Sequence, residues 1–160
     1  PRGPISFEKP IDSIAVSGHK MLGCPMPCGI TVTRKRHLEK MSRPVEYLNS
    51  VDTTIMGSRN GHAALYMWYA LRTKGIDGLQ DDVRNCFVNA AYLHEKLEKE
   101  GIRSERNELS TTVVFERPNE DFVHRWQLAC EGDIAHVVVM PNITQDVIDD
   151  FVGQLVNGGQ

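Results

Sequence analysis

No stretch of this 160-residue sequence is apolar for long enough to cross a bilayer. The longest uninterrupted run, Ala63 to Leu71, has nine residues, about half of the ~20 that a spanning helix needs. No signal-peptide pattern is present either. Positive charge is also scarce. With 18 Lys and Arg against 21 Asp and Glu, the net charge is −3 and the pI is near 6.1. Arg34-Lys35-Arg36 is the only dense basic run, and it reads as a solvated helix start. The balance therefore gives no electrostatic case for nucleic acid or an anionic membrane surface. Only four cysteines occur, Cys24, Cys28, Cys86 and Cys130, and in an acidic, enzyme-like chain they read as reduced thiols of a cytoplasmic protein, not as a disulfide framework. A zinc site from Cys24, Cys28, His19 and His37 is disfavoured. Pro25 and Pro27 stiffen the C-x3-C loop against wrapping a tetrahedral ion, and no second Cys/His pair follows at finger spacing. No metal is expected, and the two cysteines are read as small residues packing in a tight loop. Internal repeats and low-complexity segments are absent, and Gly158-Gly159 is expected to fray.

The informative segment is Ser17-Gly18-His19-Lys20. It follows the apolar Ile14-Ala15-Val16 and precedes the loop Gly23-Cys24-Pro25-Met26-Pro27-Cys28-Gly29. A lysine is ordinarily solvated, and this setting suits a reactive one. An amine at a strand end, partly desolvated and beside another cation, has its pKa lowered from about 10.4 toward neutrality and becomes nucleophilic toward an aldehyde. Lys20 is thus a candidate Schiff-base lysine, and pyridoxal 5'-phosphate (PLP) is the matching aldehyde.

Periodicity predicts strands at Asp12–Ser17 and Gly29–Thr33 and a helix at Arg34–Met41, with Pro44 barring continuation. A helix over Arg59–Lys74 is apolar on nearly every side. It is expected to be buried inside an assembly, partly between subunits, with Trp68 and Tyr69 in the core. Asp77-Gly78-Leu79-Gln80 offers a capping-box-like start for a long amphipathic helix linking two lobes. It carries Leu79, Val83, Cys86, Phe87, Ala90, Leu93 and Leu97, and Gly101 stops it. Beyond it come a strand at Thr111–Phe115, a helix at Glu120–Leu128 entered through Asn119 with Trp126 in the core, a strand at Ile134–Met140 and a helix at Thr144–Leu155. His136 is expected to be a strand histidine satisfied by its neighbours.

The motif Ser17-Gly18-His19-Lys20 with the loop through Gly29, then Thr54-Ile55-Met56-Gly57-Ser58-Arg59-Asn60-Gly61-His62, resembles the group II PLP-dependent amino-acid decarboxylases. More narrowly, it resembles the plant-type serine decarboxylases and the PLP-type histidine decarboxylases. The similarity continues through Asn107 to Pro118, Arg125-Trp126-Gln127-Leu128-Ala129-Cys130 and Gly132 to Pro141. The fold class this implies is α/β, the C-terminal part of a fold-type I PLP-dependent transferase. Residues 1–75 would end the large PLP-binding domain, and 76–160 would form the linking helix and a small C-terminal α/β domain. A longer polypeptide is expected, with the groups that pair with the pyridine ring upstream of Pro1.

The resemblance implies the roles that follow. Lys20 would hold the cofactor and assist proton transfer. His19 would contact the phosphate or the partner subunit, its alternative being a histidine satisfied by backbone. Ser17 would offer its hydroxyl to the phosphate, or else satisfy a strand-end amide. Gly57 and Ser58 would approach the phosphate of the neighbouring subunit from a loop entering a helix, although such residues also build ordinary turns. Ser110 would stand near the active-site mouth or simply start a strand. The implied reaction is decarboxylation of an L-amino acid in a homodimer with shared active sites. L-Serine giving ethanolamine is preferred, because the Gly-Cys-Pro-Met-Pro-Cys-Gly and Arg-Trp-Gln-Leu-Ala-Cys segments look plant-type. Histidine giving histamine is the alternative, and a non-catalytic fragment retained for protein interaction is a reading from another class.

Overall fold

The computed structural model describes residues 6–46, 49–53 and 60–159. The chain divides into two compact units, Pro1–Thr73 and Lys74–Gln160. In the first, β1 (Ser13–Ser17) and β2 (Gly29–Thr33) form an antiparallel ribbon with Ser17 opposite Gly29. β-Branched residues, alternating in β1 (Ile14, Val16) and consecutive in β2 (Ile30 to Thr33), suit both strands to a pleated surface. Helix α1 (Lys35–Met41) follows. A second ribbon pairs β3 (Arg43–Val45) with β4 (Ser50–Asp52), with Pro44 opposite Val51. Arg34, just ahead of α1, ties down the entering chain: its guanidinium donates to the carbonyls of Phe7, Lys9 and Ile11 and stacks 5.5 Å from the Phe7 ring centroid.

Helix α2 spans Gly61–Lys99, but Gly75 within it has φ 62° and ψ −172°. That conformation is open essentially to glycine alone, so α2 is two helical segments joined at Gly75. The expected start at Asp77 is corrected: Asp77 to Gln80 are already helical, because the glycine absorbs the break and no capping box is needed. Lys74 Nζ pairs with Asp82 Oδ2 at 2.6 Å along the second segment. The first segment turns inward along a narrow stripe, with Ala63 buried and Met67 and Ala70 half-buried. The expected all-round burial is therefore not met within this chain. Trp68 and Tyr69 are 59% and 62% exposed and do not join a core.

The second unit holds a four-stranded antiparallel sheet in the order β5 (Ser104–Glu105), β6 (Thr112–Glu116), β8 (Ile134–Val138), β7 (Ala129–Glu131). The two-residue period of a strand places Val113 and Phe115 of β6 and Ala135 of β8 on the buried face. Against them pack Ala90, Leu93 and Leu97 of α2, Phe122 of α3 (Glu120–Trp126), and Ile148, Phe151, Val152 and Leu155 of α4 (Gln145–Gly158). The helical residues recur at three- and four-residue intervals, as an amphipathic face requires. Phe151 is central, with ring centroids 5.9, 5.3 and 5.0 Å from Phe115, Phe122 and Trp126. Asn119 caps α3 by accepting from the Phe122 amide at 3.0 Å and donates to Gly158 O at 2.9 Å, locking α3 to the end of α4. Helix α3 stops two residues before its expected end because Gln127 adopts a left-handed conformation, φ 51° and ψ 46°. His136 lies in β8 as expected and is exposed, on the face opposite the buried Ala135. Among the described residues, no helix is long and apolar enough to cross a membrane.

Replacing Gly75 tests the break. Gly75→Ala should destabilise the protein by about 1–3 kcal/mol, since a β-carbon strains this conformation. An uninterrupted helix would instead gain about 1 kcal/mol from the same change. Urea melts of the two proteins give the sign directly.

Candidate active site

Lys20 lies in the connection between β1 and β2, where the chain folds back on itself. The Lys20 amide donates to Ser17 O at 3.2 Å, and the Lys20 carbonyl accepts from the Gly23 amide at 2.9 Å, making two successive turns. Three further bonds lash the loop to its return strand. Gly18 N–H donates to Cys28 O at 2.8 Å, and Cys24 N–H donates to Gly18 O at 2.9 Å. His19 Nδ1 lies 3.1 Å from both the amide nitrogen and the carbonyl oxygen of Cys28. An unprotonated Nδ1 accepts from the amide, and a protonated one donates to the carbonyl; in either tautomer the ring is tethered to Cys28.

Gly18 is buried beneath this turn, and its lack of a side chain is structural. A β-carbon there would stand 2.7 Å from Met67 Sδ and 3.2 Å from Cys28 Sγ, so that the Met67 side chain would have to shift. The backbone immediately before His19-Lys20 therefore presses directly on two sulfur-bearing side chains. Cys24 is buried, with its thiol 4.0 Å from Ala63 O, and Cys28 is half-buried. Burial pushes the Cys28 thiol up from its ordinary pKa, and the neighbouring Cys24 adds to the rise through its charge and a hydrogen bond.

The Lys20 side chain is exposed, and among the described residues no hydrogen bond or ion pair holds its Nζ. The desolvation expected of it is not provided by the described residues of this chain, because the loop projects from a two-stranded ribbon with no layer over it. Ser17 is half-buried at the end of β1, and its hydroxyl makes no hydrogen bond among the described residues. Gly57 and Ser58 lie outside the described residues. Ser110 belongs to the second unit, and its hydroxyl accepts from the Thr112 amide at 3.0 Å, the local bond of a strand-start serine. Ser17, His19 and Lys20 are thus brought together on one turn.

Ser110 also lines a cavity of about 460 Å³ with His94, Ser104, Arg106, Asn107 and Thr112. Arg106 Nη1 donates to the carbonyls of Asn107, Glu108 and Ser110 at 3.0–3.3 Å. Beside the cavity, Glu98 Oε1 accepts from the Ser104 amide at 2.7 Å and from its hydroxyl at 3.0 Å. His94 Nδ1 sits 2.7 Å from the same hydroxyl. This cluster is not legible from residue order, because Glu98 and Ser104 are scattered polar residues across a helix end. Gly18 was legible only as part of a motif, since its contact with Met67 is long-range.

Comparison with known proteins decides the family. The pyridoxal-dependent decarboxylase conserved domain matches residues 9–116. This chain belongs to the pyridoxal-dependent decarboxylase family. Serine decarboxylase 1 of Oryza sativa subsp. japonica is 59% identical over 152 residues, which are 94% of this chain and 32% of that protein. Histidine decarboxylase of Solanum lycopersicum is 49% identical over 153 residues, 95% of this chain and 37% of that protein. The crystal structure of L-methionine decarboxylase from Streptomyces sp. 590, at 30% identity, superposes with a TM-score of 0.81 over 92% of this chain and 31% of that one. The fold is accordingly part of a fold-type I PLP-dependent enzyme, and the chain spans about a third of the length of the curated relatives it matches. The geometry fits the family's cofactor at its aldehyde end: an exposed primary amine stands on a turn fixed by five backbone and ring contacts.

The Glu98 cluster carries a pH prediction. Its carboxyl is held below the ordinary value, about 4.3, first by the Ser104 amide and then by the Ser104 hydroxyl. A lowered folded-state pKa contributes stability that is complete above the unfolded value and disappears as pH falls through the folded value. Glu98→Gln should therefore unfold at lower urea than the parent at neutral pH, with the gap closing below about pH 4. A gap independent of pH would show that the Ser104 bonds do not favour the carboxylate.

Proposed function

We propose that this chain is the lysine-bearing portion of a PLP-dependent decarboxylase that removes CO2 from L-serine and leaves ethanolamine. The observation that carries the proposal is the turn that fixes Lys20 at the end of β1, within the segment that matches the family. Bound PLP supplies an electron sink for the pair released as the bond from Cα to the carboxylate breaks. The protein's part is to hold, orient and protonate. Lys20 Nζ binds the cofactor through its aldehyde, gives way to the substrate amine and then carries a proton to Cα. His19, tethered at Nδ1, keeps its other ring nitrogen for a cofactor or subunit contact. Ser17 directs its hydroxyl to a phosphate oxygen, and Ser58 with Gly57 serves the phosphate of a neighbouring subunit.

Serine is preferred to histidine because identity is higher to the rice serine decarboxylase than to the tomato histidine decarboxylase, 59% against 49%. Histidine remains the second reading on the strength of that latter match. A homodimer is supported by Leu65, Trp68, Tyr69 and Leu71, large apolar side chains left exposed on the first segment of α2. Four free cysteines support a reducing, cytoplasmic setting.

In the full-length protein, Lys20→Ala should abolish CO2 release while leaving the circular dichroism spectrum unchanged, because the residue sits on a turn and not in a core. Lys20→Arg should fail as well, since a guanidinium stays protonated. Near-normal turnover in either variant would remove Lys20 from the reaction. Ser58→Ala should weaken PLP retention by about 1.5–3 kcal/mol, roughly ten- to hundredfold, the cost of one charge-assisted hydrogen bond. A serine that only caps its helix would instead cost about 1 kcal/mol of stability with PLP affinity unchanged, and cofactor titration beside a urea melt separates the two.

A further inference from the structure

The cavity of about 460 Å³ in the second unit is bordered by hydrogen-bond donors that no described residue uses. Arg106 is the chief of them. Its Nη1 donates to the carbonyls of Asn107, Glu108 and Ser110 at 3.3, 3.2 and 3.0 Å, which fixes the guanidinium against the turn leading into β6. Its Nε is buried and has no partner among the described residues. A buried donor without an acceptor carries its full desolvation cost, so an oxygen that reaches it recovers that loss. Nη2 likewise makes no hydrogen bond among the described residues. Nε and Nη2 share one edge of the guanidinium, and two parallel N–H bonds on such an edge match a carboxylate. Ser110 Oγ accepts from the Thr112 amide at 3.0 Å, which leaves its own hydrogen to donate. The Thr112 hydroxyl, on the same cavity, enters no hydrogen bond among the described residues.

We propose that this cavity is a binding site for a small monocarboxylate, held on the Nε–Nη2 edge of Arg106 and by the hydroxyls of Ser110 and Thr112. The inference does not rest on the decarboxylase reading, because every group it uses lies in the second unit and none is Lys20, His19 or Ser17. An ionised carboxylate only accepts hydrogen bonds, and these four donors match its lone pairs. Val114 of β6, half-buried on the same cavity, gives a short apolar tail a surface to rest on. Charge limits the ligand further. Glu105 borders the cavity, and the Glu98 carboxylate stands behind Ser104, accepting from its hydroxyl at 3.0 Å. Beside one guanidinium, these two negative groups favour a ligand with one negative charge over a ligand with two.

The test follows the arginine Nε–H resonances of the full-length protein, isotopically labelled at Nε, and the Arg106 signal is the one lost in Arg106→Lys. At constant ionic strength, sodium propionate should shift that signal saturably. Propionamide has nearly the same shape without the charge and should leave it unmoved. Thr112→Val keeps the strand and the side-chain volume while removing one hydroxyl, and should raise the propionate dissociation constant roughly tenfold. Inorganic phosphate above neutral pH, chiefly a dianion, should need a higher concentration than propionate to move the same signal. An Arg106 signal indifferent to propionate, or equally responsive to propionamide, would show that the site does not select a carboxylate and overturns the proposal. A Thr112→Val protein that binds propionate as tightly as the parent overturns it too, as does tighter binding of phosphate than of propionate.

Discussion

A missing β-carbon sets the course of the chain beneath the Lys20 turn. Gly18 passes so close to Met67 and Cys28 that a β-carbon there would force their side chains to shift, and its amide and carbonyl bond Cys28 and Cys24 at the same time. With both strand-end residues pinned, the turn that follows has little freedom, and Lys20 inherits a fixed point of departure. The amine owes its placement to backbone hydrogen bonds, which no choice of side chain at neighbouring positions can replace. Met67 makes the link between the ribbon and the first segment of α2, so the loop is supported from two sides.

The two units are stabilised unequally. Nearly every buried apolar residue of the second unit joins one cluster around Phe115, Phe151 and Leu97, closed by the Asn119 bonds and by Tyr92 and Lys96 meeting Asp149. In the first unit, Cys24 and Ala63 are the only buried apolar side chains among the described residues. Isolated two-stranded ribbons are marginal in water, and here two of them carry Val16, Val32 and Val51 exposed. The unit that bears the lysine is thus the one with the least packing of its own, which accords with a chain spanning about a third of its relatives.

Much of this was readable from residue order. Strand β2 falls on Gly29–Thr33 as its β-branched run and bounding glycine imply, and α3 begins after Asn119 because a short polar side chain can take the first free amides. The Ile148, Phe151, Val152, Leu155 face of α4 follows from its spacing. Short elements escaped: β5, β7, β3 and β4 have two or three residues each, too few to show a period. The α2 aromatics were misplaced because a helix rich in apolar residues reveals its composition and not which side is covered. At the site, Ser17, His19 and Lys20 are adjacent in sequence and could hardly be separated, whereas the grip of Cys28 on His19 depends on a return strand that local pattern cannot locate.

The uneven core also orders events during synthesis. Translation delivers the lysine turn and the aromatic stretch around Trp68 before Ala90, the earliest contributor to the main cluster, has been made. Until then the main cluster cannot form, and what holds the lysine turn is its own backbone hydrogen bonds.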